Sequence, residues 1–208
     1  MGDGGRVGVS GTARYDEGRL VGISRVRTLV FRFPLCRCDF GEDILGIYRQ
    51  GIGRGMLIYS PPGIGKTTAL RHLASIISKE RRLCIIDERG EFSGDDLPCA
   101  SVLSGYEKAL GIEIALRTHS PEIIMLDEIG ADEAESLSSV FGAGIPIIAS
   151  AHGGRVDDLV SRAATRDLIH SGFFDVFVGI SIGDGGYELW KTAFSEIQNR
   201  KHKEMCER

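Results

Sequence analysis

An α/β fold, with a mainly parallel sheet flanked by helices and a small β-rich module ahead of it, follows from three features of this 208-residue sequence. From Gly55 onward, short apolar runs alternate with helical patterns, the rhythm of βαβ units wound into a parallel sheet. The first of those runs leads straight into a glycine-rich loop and an amphipathic helix. Upstream, strand-like runs flank a tight-turn signal.

Taken in order, residues 1–5 make a loose start. RVGVSGTARYDEGRLVGI holds two strand-like runs around Asp16-Glu17-Gly18, a hairpin signal. RVRTLVFRF predicts another strand, alternating Arg and apolar residues through Arg27, Leu29, Phe31 and Phe33. Pro34 and CRCDFGED interrupt the pattern, and DILGIYRQ (43–50) fits a short helix, so the N-terminal module is expected to span 6–50. The core is expected over 51–192. Its apolar runs are MLIYS (56–60), LCIID (83–87), EIIMLD (122–127), IPIIAS (145–150) and FDVFVGIS (174–181). Between the first two, TTALRHLASIISK places Ala69, Leu73, Ile76 and Ile77 on one helical face. YEKALGIEIALRTH precedes the third run. ADEAESLSSVF precedes the fourth, its first turn loaded with acids as the helix dipole prefers. RVDDLVSRAATRDLIHSG precedes the fifth and ends at Gly172, an expected C-cap. GDGG then turns the chain into YELWK, an antiparallel end to the sheet, and residues 193–208 form a charged tail.

A hydrophobic fraction of 42% and a charged fraction of 26% are those of an ordinary globular protein. The net charge of −4 argues against a generally basic nucleic-acid coat. Arginine outnumbers lysine 19 to 6, which suits bidentate phosphate or carboxylate pairing. Five scattered cysteines, Cys36, Cys38, Cys84, Cys99 and Cys206, form no CxxC pair and read as reduced thiols. No apolar run is long enough to cross a bilayer, and the start of the chain has no signal-peptide core. The expected location is the cytoplasm, or the inner face of a membrane as a peripheral protein.

Ser60-Pro-Pro-Gly-Ile-Gly-Lys66-Thr67 matches the Walker A pattern with Ser in place of its first glycine. Gly63 and Gly65 let the backbone curl so that successive N–H groups face one phosphate, with Pro62, Ile64 and Thr68 completing the loop and helix start. Lys66 supplies a point charge for the β- and γ-phosphates of ATP, and the Thr67 hydroxyl can complete a Mg²⁺ shell. The helix that follows presents its positive end to the same anion.

Hydrolysis also needs an acid for Mg²⁺ and a group that polarises the attacking water. Asp87-Glu88 and Asp127-Glu128 both end strands. P-loop ATPases with a catalytic glutamate place an extra strand between the Walker A and Walker B strands. The strand ending at Asp87 is taken as that extra one. Asp127 is therefore assigned to Mg²⁺ and Glu128 to water, with Glu88 a second candidate at the border of the site. The fourth strand, expected beside the cradle, carries Ser150 and His152. His152 is a candidate sensor touching the γ-phosphate or Glu128. No second His or Cys stands at ligand spacing for another metal.

SPPGIGKTTALR, IIDERGEFSG, SPEIIMLDEIG and ASAHGG, in that order, resemble the stage III sporulation protein AA family, related to secretion and pilus-motor ATPases. The resemblance begins upstream in RVGVSGTARYDEGRLVGISRVRTL and covers roughly residues 6–182. It implies a RecA-like core, ATP hydrolysis and a hexameric ring as the homo-oligomer. It also implies membrane-channel proteins between mother cell and forespore as partners. Two departures stand out: a short segment ahead of RVGVSG, and Gly130 where many secretion motors carry arginine. Arg25, Arg27, Arg32, Arg89, Arg155 and Arg162 are candidates to complete a neighbour's site. The expected function is a motor-type ATPase. The alternatives are a single-strand nucleic-acid-binding ATPase, which the acidic balance disfavours, and a nucleotide-gated scaffold with little turnover.

Overall fold

A computed structural model of the chain describes residues 6–32, 40–92, 97, 99–129, 134–184 and 186–198. Expectations about residues 1–5, Phe33, Pro34, Cys36, Cys38, Gly130, Cys206 and the tail beyond 198 lie outside the described residues. The chain divides into two units, Met1–Arg37 and Cys38–Arg208.

The first unit is an antiparallel hairpin of β1 (Arg6–Asp16) and β2 (Arg19–Arg32). Asp16 pairs with Arg19, leaving a two-residue turn in which Glu17 (φ 46°) and Gly18 (φ 78°) are both left-handed. Such turns match the right-handed twist of the strands they join. Where the sequence suggested a separate strand from Arg25 onward, β2 runs on without a break. The interruption is absorbed instead as an irregularity at Arg25 (φ 46°), where the register jumps from Thr12↔Ser24 to Ser10↔Thr28. Alternation sets Val7 opposite Phe31 and Val9 opposite Leu29, and these side chains are exposed.

The second unit is a seven-stranded sheet in the order β5-β4-β6-β7-β3-β8-β9. Its strands are β3 (Gly55–Ser60), β4 (Leu83–Asp87), β5 (Ala100–Ser104), β6 (Ile123–Leu126), β7 (Ile147–His152), β8 (Val176–Gly183) and β9 (Gly186–Ala193). Among the described strands of this sheet, only the β8–β9 pair is antiparallel. Its helices are α1 (Gly41–Arg49), α2 (Lys66–Glu80), α3 (Lys108–Ile114), α4 (Ala134–Gly142), α5 (Val156–Ser161) and α6 (Ala163–His170). β3 is buried along its whole length because both faces are covered. Met56 and Ile58 join the layer under α1 and α2, while Leu57 and Tyr59 join the layer on the opposite face. On α2, Ala69, Leu70, Leu73, Ala74 and Ile77 form the buried stripe, with Ile76 partly covered at its margin.

Four details differ from expectation. β5 went unread because ASVLS is short and only Leu103 in it is buried, as befits a sheet edge. The helix before β6 ends in a π-helical turn, Ala115–His119, closed by Ser120 at φ 45°. The helical run before β8 breaks at Arg162, which is extended, into α5 and α6; Gly172 follows α6 at φ 76°. Finally, α1 packs Ile44 and Leu45 into the α2 layer rather than forming part of the hairpin unit. Residues 194–198 are helical, and Ile197 is buried in the core, so the tail begins as packed structure.

Candidate functional site

The C-terminal ends of β3, β4, β6 and β7 lie along one edge of the parallel sheet, the edge where open α/β sheets bind ligands. The strand separating β3 from β6 in space is β7, whereas β4 lies beyond β6. The expectation that the Asp87 strand fills the gap is corrected in this way. The fourth run is beside the cradle: Ser60 is paired with His152 across β3 and β7.

Residues 61–65 form the loop from β3 into α2. Gly63 turns at φ 79° and Gly65 at φ 112°, conformations that L side chains rarely adopt, so these two glycines are what the loop requires. Pro62 and Thr68 are exposed, and Ile64 packs against the α2 layer. Gly65 caps α2 without a side-chain bond, leaving the first backbone N–H groups of a 15-residue helix for an anion. Lys66 folds back into this loop and is buried. Its ammonium donates to the Ser60 carbonyl (3.0 Å), the Ser60 hydroxyl (3.3 Å) and the Pro61 carbonyl (3.3 Å). Burial pushes the Lys66 amine below its ordinary value, against the pull of Glu128 and Glu91.

Lys66 is also joined, through His152, to Glu128 in the segment after β6. Its Nζ lies 2.9 Å from His152 Nδ1. An ammonium has no lone pair to offer, so Nδ1 accepts and Nε2 carries the ring proton. That Nε2 stands 3.1 Å from Glu128 Oε1, and the other carboxylate oxygen lies 2.7 Å from Arg89 Nη1. Lys66, His152, Glu128 and Arg89 thus form one chain of contacts.

Asp127 is buried, with one oxygen accepting the Glu128 backbone N–H at 2.7 Å and the other, Oδ2, without a hydrogen-bond partner among the described residues. Burial raises its carboxyl above the ordinary value; the Glu128 N–H and Lys108 oppose this, while Asp87 and Glu91 add to it. An orphaned, buried carboxylate oxygen beside a phosphate cradle is an arrangement that a cation satisfies. The Thr67 hydroxyl donates to Glu91 Oε2 at 2.7 Å. Among the described residues no cluster of three or more His, Cys, Asp or Glu could hold a metal alone. Such a donor set fits Mg²⁺, which binds through one or two protein oxygens and completes its shell with phosphates and water.

The second Asp-Glu pair behaves differently. Asp87 is fully buried, and its carboxylate accepts the N–H groups of Glu91 (2.7 Å) and Phe92 (3.0 Å), shaping the loop after β4. Glu88 pairs with Lys108 at 2.7 Å, and no described contact joins it to Lys66 or Thr67. Glu91, three residues on, is the acid that reaches the cradle. Sequence reading gave Glu91 no role of its own, although it lies in the acidic run IIDERGE (85–91). The loop is strapped further by the Arg71 side chain, which donates to the Glu91 carbonyl. Ser150 does not face the cradle; its hydroxyl donates to the Asp127 carbonyl and its own carbonyl receives the Ile129 N–H at 2.8 Å, locking β6 to β7. Arg162 donates to the His152 carbonyl at 2.9 Å, which gives it a role within its own unit.

A family model described as "Sporulation stage III, protein AA" matches residues 1–188. The chain belongs to that family. It is 30% identical over 197 residues to stage III sporulation protein AA of Bacillus subtilis (strain 168). That match takes in 88% of this chain and 64% of the relative, so this chain spans just under two thirds of the Bacillus protein. Among solved structures, the family member is similar to the VirB11 ATPase of the Brucella suis type IV secretion system. The TM-score is 0.53 at 19% identity, covering 77% of this chain and 58% of that one. It is also similar to the Legionella pneumophila ATPase DotB, with a TM-score of 0.55 at 18% identity, covering 91% and 58%. The fold is therefore the RecA-like P-loop fold that those two proteins share. No helix among the described residues is long and apolar enough to cross a membrane.

Proposed function

We propose that this chain is the ATP-binding and ATP-hydrolysing core of a motor-type ATPase serving a sporulation channel between mother cell and forespore. The observation that carries the reading is the buried Asp127 oxygen without a partner, one residue before a glutamate tied through His152 to the cradle lysine. The loop N–H groups and Lys66 bind the phosphates. Thr67 and Asp127 would hold a Mg²⁺, which would neutralise charge developing on the phosphates. Glu128 orients water and takes its proton, and His152 links that carboxylate to the state of Lys66. Glu88 enters as the partner of Lys108, and Glu91 as the acid beside Thr67. Several copies work together, in a hexameric ring by family resemblance, with peripheral membrane-channel proteins as partners by the same resemblance. The test is Mg²⁺-dependent phosphate release by the purified protein. Glu128→Gln should retain nucleotide binding while phosphate release falls by about a hundredfold or more. A Glu128→Gln protein that turned over normally would remove the catalytic assignment.

A further inference from the structure

Glu128 is already engaged before any nucleotide arrives. One of its oxygens faces the His152 ring N–H and the other faces the Arg89 guanidinium. Each oxygen keeps a further lone-pair site, but the two donors together fix the orientation of the carboxylate, and turning it to meet a water at the cradle strains one of these contacts. Arg89 belongs to the loop after β4, whose base is fixed by the buried Asp87 carboxylate and by Arg71. Gly90, at φ 68°, turns the chain directly after Arg89. The backbone is therefore strapped down while the Arg89 side chain, 54% exposed, reaches across to a carboxylate that is 22% exposed. The pair is open enough to break and sheltered enough to form.

We propose that Arg89 is a positioning residue that acts as a latch within its own subunit: it holds Glu128 out of use in the nucleotide-free protein, and hydrolysis waits on its release. This rests on the ATPase reading above. The arriving γ-phosphate competes for Lys66, which loosens His152 and leaves Arg89 as the remaining hold on Glu128. Such a latch keeps turnover low until the Arg89 side chain leaves Glu128, so a neighbour that engages Arg89 would set the rate. An arginine already committed to Glu128 in its own subunit is not poised as a finger for another.

Two measurements on the full chain test the latch. One is the equilibrium affinity for a non-hydrolysable ATP analogue and for ADP; the other is the single-turnover rate constant of bound ATP. Arg89→Ala should tighten analogue binding about two- to five-fold, the scale of a half-exposed ion pair, and leave ADP affinity unchanged. It should raise the single-turnover rate constant by a similar factor, with Arg89→Lys intermediate. In a Glu128→Gln background the effect of Arg89→Ala on analogue binding should shrink toward nothing, since the latch has lost its partner. A lower rate constant in Arg89→Ala would make Arg89 a stabiliser of the transition state and overturn the latch. So would equal shifts for analogue and ADP, which report only lost charge, or no shift in either. Wild-type protein that binds the analogue while Arg89→Ala changes nothing leaves the ATP site standing without the latch. Wild-type protein that binds no analogue removes both.

Discussion

Asp127 sits where burial penalises its charge and one oxygen has no hydrogen-bond partner among the described residues, a local cost to the folded chain. Because the folded-state carboxyl is raised, the folded chain holds its proton more tightly than the unfolded chain does. Stability from this group is present at low pH and is lost as pH rises through its titration. Asp127→Asn should therefore raise the melting temperature of the nucleotide-free protein at neutral pH, with a smaller gain in acid. The same variant should lose the Mg²⁺-dependent part of nucleotide binding. A lowered melting temperature would contradict the strained-carboxylate account. Legibility of single residues followed how much each depends on its neighbours. Gly63, Gly65, Lys66 and Thr67 could be read directly, because the loop's chemistry is contiguous. Glu91 could not, because what brings it to Thr67 is the buried Asp87 carboxylate folding the loop, a contact no spacing announces. For the same reason Glu88 read as the nearer acid, though its described partner is Lys108.

At the scale of elements, the site depends on β3 and α2 being held without slack. Gly55 opens β3 where an added Cβ would stand 2.6 Å from the Ile147 carbonyl oxygen and 2.7 Å from that of Phe173. Both are backbone atoms and cannot rotate aside. Gly55→Ala should cost about 1–3 kcal/mol in urea unfolding. On α2, Leu73 is fully buried between the helix and the sheet, and Leu73→Ala should cost about 2–5 kcal/mol by the same measurement. A change within experimental error at either position would show that the β3–α2 packing is not as described. The apolar periodicity of α2 and the continuous apolar runs of β3, β4, β6 and β7 were legible because both are core elements. β5, the unit to which α1 belongs and the break at Arg162 were not, because an edge strand, the docking of a short helix and a local backbone bend are settled by tertiary packing rather than by period.

At the scale of the whole molecule, the sheet order carries the function. Inserting β7 between β3 and β6 puts His152 between Lys66 and Glu128, in contact with both. A count of strands along the chain located Asp127 but could not say which strand fills the gap, since spatial order is not sequence order. If several copies act together, phosphate release per copy should rise with protein concentration, measured alongside particle size. A flat profile would remove the assembly from the proposal. The most direct measurement is an equilibrium titration of the full chain with ATP, with and without Mg²⁺, in wild type and in Lys66→Ala. The account predicts saturable, Mg²⁺-strengthened binding in the wild type and its loss in Lys66→Ala. Equal binding by both proteins would contradict the cradle on which everything else here depends.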